Sequence, residues 1–110
     1  MKAALLENIK VFLNSAELVY NTKDFTSATI LYFKTLFVAY DLIIFERKKF
    51  TPKDHTERFR ILKKYFSEEY LFLDKYFSVY QDTYSVRIDK DICEEIRIYV
   101  KEYINKKFNI

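Results

Sequence analysis

The 110-residue chain contains no Gly and no Trp, and only one Pro, one Cys and one His. Without Gly no residue takes left-handed backbone freely, so a P-loop, a Rossmann fingerprint and a G-x-S-x-G nucleophile elbow are excluded. One Cys and one His cannot supply the nitrogen and sulfur ligands of a usual zinc site. Cys93 alone cannot close an internal disulfide, which suits a reducing, cytoplasmic setting. No metal and no other cofactor is expected. The length allows one core, hence a single domain over residues 1–110.

What is present is helical periodicity, almost from end to end. A first helix over residues 2–22 carries Leu5, Ile9, Phe12, Ala16 and Val19 on one stripe. Asn21-Thr22-Lys23-Asp24 reads as the turn of a helical hairpin. A second helix, 25–49, is apolar on nearly all sides, broken only by a seam of Ser27, Lys34, Asp41 and Lys48 at heptad spacing. One face (Phe25, Tyr32, Leu36, Tyr40, Ile43) suits the chain's own core. The other, with Phe37, Val38 and Phe45 beside Lys34 and Asp41, calls for a second subunit, so a homodimer is expected with these five residues at its seam. Lys34 and Asp41 are expected to form paired contacts there.

Thr51-Pro52 reads as the cap and first residue of a third helix running to about Phe66. That helix is expected to bury His55, Phe59, Leu62 and Phe66 and to expose Arg58, Arg60, Lys63 and Lys64. Ser67-Glu68-Glu69 opens a fourth helix to about Tyr84, and Asp89 a fifth carrying Ile92, Ile96, Tyr99, Val100 and Tyr103. The expected fold is all-α, an up-and-down bundle of four to five helices. The first hairpin has the look of a tetratricopeptide unit, but nothing recurs at 34 residues, so a solenoid is excluded. The apolar run Ile30–Phe45 contains Lys34 and Asp41 and falls short of the roughly 20 residues of a membrane span, and the amphipathic N-terminus is unlike a signal peptide. No membrane association is expected.

The formal net charge is only +3, but its distribution is uneven. Between Arg47 and Lys64 lie eight bases and two acids, Asp54 and Glu57, so this segment is strongly basic and the remainder slightly acidic. A basic face of that kind suits a polyanion. Most of the ten Tyr and eleven Phe fall at core spacing, whereas Tyr65 stands next to the basic face as a candidate stacking ring.

The stretch Ser27-Ala28, Leu31-Tyr32-Phe33-Lys34, Leu36-Phe37 and Ala39-Tyr40, followed by Thr51-Pro52-Lys53-Asp54-His55, resembles the HEPN superfamily of small helical nucleotide-binding domains. Arg87, in Tyr84-Ser85-Val86-Arg87-Ile88-Asp89, looks like the family's Arg before the last helix. The resemblance covers roughly residues 2–104. It implies a dimeric bundle in a prokaryotic toxin–antitoxin or defence setting, often beside a minimal nucleotidyltransferase. Active members are metal-independent ribonucleases with Arg, four to six residues, then His. Here Ile92, Cys93 and Glu94 stand where that His would fall, so the resemblance implies a catalytically silent module that binds a nucleotide or RNA. The candidate contact residues are Arg87, His55, Arg58, Arg60, Lys63, Lys64 and Tyr65. Two alternatives stand beside this reading: a divergent ribonuclease in which the facing subunit brings His55 to Arg87, and a helical scaffold with no nucleic-acid role.

Overall fold

In the computed structural model, which describes residues 1–110, five helices follow one another: α1 (Lys2–Asn21), α2 (Phe25–Lys48), α3 (His55–Tyr65), α4 (Ser67–Asp82) and α5 (Lys90–Phe108). Three of their starts are capped by aspartates. Asp24, Asp54 and Asp89 accept hydrogen bonds from the backbone N–H groups of Ser27, Glu57 and Ile92 at 3.0, 2.9 and 2.9 Å. Each such cap stabilises its helix by about 1 kcal/mol. α2 ends at Lys49, whose φ of 68° is left-handed backbone that Gly usually supplies.

α2 is the central element. Eleven of its 24 residues are buried, among them Tyr32, Phe33, Leu36, Phe37 and Tyr40. Fully burying an aliphatic or aromatic side chain stabilises the fold by about 1.5–3 kcal/mol, so this helix dominates the core. By length and composition it is apolar enough to cross a membrane, longer than the run read from the sequence, and here the chain's own helices take up most of its apolar surface. The radius of gyration, 13.4 Å, is close to the roughly 13 Å of a compact domain of this size.

The helix directions differ from an up-and-down bundle. α1 is antiparallel to α2, with Glu17 bonded to Tyr32 and Lys2 to Glu46. α3, however, runs parallel to α2: His55 packs on Phe37, Arg58 on Asp41, and the Tyr65 carbonyl on Arg47. The connector 49–54 runs back along α2 before α3 begins. Six extended residues reach about 20 Å, which covers the roughly 16 Å of helix rise between Lys48 and Phe37. α4 then descends and α5 ascends, meeting through Phe72 and Tyr99, stacked at 3.5 Å, and through Tyr76 and Glu95. Thus α1, α2, α4 and α5 form a four-helix bundle, with α3 as an extra helix in the α2–α4 connection.

Four local expectations are corrected. α3 begins at His55, capped by Asp54 rather than Thr51: the Asp54 carboxylate accepts from the Glu57 N–H, and the Glu57 side chain reaches back past the cap to the Lys53 N–H at 3.2 Å. Pro52 is buried in the connector instead of opening the helix. Ser67 lies inside α4 and makes no cap bond. On α5 the buried stripe includes Cys93 and Ile104, while Ile92 is exposed.

Candidate functional site

Arg58 is the largest departure from the expected solvent face. It is only 8% exposed, set between α2 and α3. Its Nε and Nη2 donate to the two carboxylate oxygens of Asp41 at 2.7 and 3.0 Å, and its Nη1 lies 2.6 Å from His55 Nδ1. Guanidinium is a donor only, so Nδ1 must accept and the imidazole proton sits on Nε2. Phe37, Phe77 and Tyr80 surround the imidazole ring at centroid distances of 4.8, 5.3 and 5.9 Å. Burial and the Arg58 charge hold the His55 pKa below its ordinary value. The lone pair a general base would use is therefore already engaged.

The expected seam divides. Phe37 is 7% exposed, enclosed by its own chain, and Asp41 pairs with Arg58 rather than with Lys34. Lys34 remains exposed, and Val38 and Phe45 half-buried, along the open side of α2.

The remaining basic residues gather where α2 and α3 end. Arg60, Lys63 and Lys64 are exposed, and Arg60 makes only a loose pair with Glu57 at 3.8 Å. Tyr65 is half-buried, and cations already occupy its ring. Lys48 Nζ lies 3.5 Å from the centroid, with Arg47 Cζ at 5.2 Å and Lys64 Nζ at 5.3 Å. The ammonium groups of Lys48 and Lys64 beside it lower the Tyr65 pKa. Arg47 also caps the end of α3 by donating to the Tyr65 carbonyl at 3.3 Å. Arg47, Lys48, Lys49, Lys63 and Lys64 form no ion pair with any carboxylate. The open ring beside them is Phe50, 46% exposed, which the sequence reading passed over although it directly follows Lys48-Lys49.

Arg87 is exposed at the other end of the bundle and pairs with neither Asp89 nor Asp91. Its loop is pinned to α2 by the Ile88 N–H, which donates to Thr26 Oγ at 2.8 Å. His55 packs on Phe37, eleven residues farther along α2 or about 16 Å of helix rise. Within one chain, then, Arg87 and His55 do not meet.

Two polar networks had no sequence signal beyond the residues themselves. In the first, Glu17 of α1 accepts from Tyr32 at 2.5 Å and Arg97 at 2.8 Å and pairs with Lys101 at 2.5 Å; Arg97 also bonds Glu94, which takes the Tyr20 hydroxyl. Burial alone would raise the Glu17 pKa, but the bonds from Lys101, Tyr32 and Arg97 outweigh it and hold the carboxyl at about 2. In the second, the Tyr40 and Tyr99 hydroxyls meet at 2.7 Å, and Tyr103 donates to the buried Glu69 at 2.8 Å. Both networks tie α5 to its neighbours. No set of three His, Cys, Asp or Glu side chains is arranged to hold a metal ion.

Comparison of the chain with family models, with curated proteins and with solved structures finds no match.

Proposed function

We propose that this chain is a non-catalytic binding module that takes single-stranded RNA along the ridge of Arg47, Lys48, Lys49, Lys63 and Lys64. The observation that carries the reading is this group of five cations with no carboxylate partner, three of which, Arg47, Lys48 and Lys64, surround Tyr65 while Lys63 lies over Tyr70. Unpaired ammonium and guanidinium groups are what a phosphate backbone displaces counterions to reach. Exposed Phe50 offers a face to an unpaired base, which favours a single strand over a duplex. The engaged Nδ1 of His55 speaks for binding without cleavage. The HEPN resemblance supplies the setting we propose, a homodimer beside a minimal nucleotidyltransferase. The open side of α2, at Lys34, Val38 and Phe45, is where the second copy sits in this reading.

The test is fluorescence anisotropy with a labelled single-stranded RNA, read against salt, with strand integrity followed in the same samples. Binding should weaken with salt at a slope of about −0.7 per phosphate contact, and K63Q/K64Q should flatten that slope while the RNA stays intact. Absent or salt-independent binding returns the chain to a scaffold role. Metal-free cleavage lost in both Arg87→Ala and His55→Ala would establish the ribonuclease instead.

A further inference from the structure

The end of the bundle opposite the ridge holds an open cleft of about 350 Å³, lined by Tyr20, Asn21, Lys23, Phe25 and Lys90. That volume lies at the lower end of the small-molecule range. Its chemistry is uneven in an informative way. Tyr20 and Phe25 meet edge to face at 5.5 Å and form an aromatic wall. Tyr20 is fixed there, since its hydroxyl is bonded to Glu94 and Arg97 lies over its ring at 4.5 Å. Facing the cleft are two ammonium groups, Lys23 and Lys90, neither in an ion pair. Lys23 precedes Asp24, and Lys90 lies between Asp89 and Asp91; Asp24 and Asp89 use their carboxylates to cap α2 and α5, and exposed Asp91 forms no ion pair with either lysine. Lys23 also sits at φ 68°, a left-handed position that a Gly would hold without strain. The Asn21 side chain makes no hydrogen bond within the protein, so both its donor and its acceptor are available to a ligand's edge.

An aromatic wall, a free amide and two unpaired cations together match a planar heteroaromatic ring bearing a dianion. We propose that this cleft binds a nucleoside monophosphate unit, its base against Phe25 and Tyr20 and its phosphate between Lys23 and Lys90. The unit comes either as a free mononucleotide or as the 5′-terminal nucleotide of a strand. The site does not rest on the ridge reading: α2, with its 24 residues, separates the two by about 36 Å, too far for one mononucleotide to span.

Isothermal titration calorimetry of the full chain tests this, using AMP, CMP, GMP, UMP, inorganic phosphate, and tetranucleotides with and without a 5′-phosphate. At least one nucleotide should bind tenfold or more tighter than inorganic phosphate. K23Q/K90Q, altering two exposed side chains, should weaken it at least tenfold, whereas K63Q/K64Q should leave it unchanged. Silent mononucleotides with a 5′-phosphorylated tetranucleotide that binds through Lys23 and Lys90 would assign the cleft to a strand end. Binding to none of these ligands, equal affinity for inorganic phosphate, or indifference to K23Q/K90Q would overturn the proposal.

Discussion

Arg58 grips Asp41 through two nitrogens at 2.7 and 3.0 Å, and both side chains are largely withdrawn from water, 10% and 16% exposed. The pair crosses the parallel α2–α3 contact and fixes the register of one helix on the other. Removing one member of such a pair leaves an uncompensated buried charge, at about 3–5 kcal/mol, whereas replacing both by apolar residues of similar volume is often near neutral. Asp41→Ala should therefore lower stability by that amount, and D41L/R58M should recover most of the loss. Urea midpoints of the three proteins check this. Equal losses in the single and double variants would show that the loss does not come from a stranded Arg58 charge.

His55 gives the same contact a dependence on pH. Its Nδ1 accepts from Arg58 only while neutral, and its pKa is held below 6.5 by burial and by the Arg58 charge, with Asp41 and Asp54 opposing and Lys34 adding to the fall. The unfolded chain thus takes up the proton first. Stability is full above pH 6.5 and falls as the pH drops through that value, until the folded state is protonated too. The His55 ring resonance should titrate below 6.5 in an NMR series. The wild type should also lose stability relative to His55→Gln between pH 8 and pH 5; a constant difference would refute the linkage.

Glu17 acts in a lower and opposite window. Its depressed carboxyl, at about 2 against 4.5 unfolded, contributes stability that is complete above about 4.5 and lost as the pH falls towards 2. Glu17→Gln should cost about 2 kcal/mol at neutral pH, and its deficit should close on acidification. Thermal melts at pH 7 and pH 3 read both. A deficit unchanged at pH 3 would place the loss in packing rather than in charge.

Arg58 also shows how far the sequence carries. His55, Arg58 and Leu62 stand at i, i+3 and i+7, which is one helix face. The spacing alone places Arg58 inside, and its charge argued it outside. The residue type misled because the partner that justifies burial, Asp41, lies on another helix. Asp89 was legible as the start of α5 because capping is local. The parallel course of α3 was not, since six connector residues carry no record of doubling back along α2. Likewise the cation cluster at Tyr65 needs Arg47 and Lys48 from α2 beside Lys64 from α3, a meeting that exists only once the parallel packing does.

The absence of Gly leaves a direct test at the end of α2. Lys49 holds φ 68° and donates its N–H to the Phe45 carbonyl at 2.8 Å, the bond that closes the helix. A residue with a Cβ resists left-handed backbone by about 1–2 kcal/mol, and Gly does not. Gly also loses more freedom on folding, which returns part of that gain. Lys49→Gly should therefore raise stability by about 0.5–1 kcal/mol, although it removes a side chain, and Lys49→Ala should not. The same substitution takes one cation from the ridge, so RNA affinity should fall as the melting temperature rises. A loss of stability in Lys49→Gly would show that the Lys49 side chain supports the α2–α3 connection.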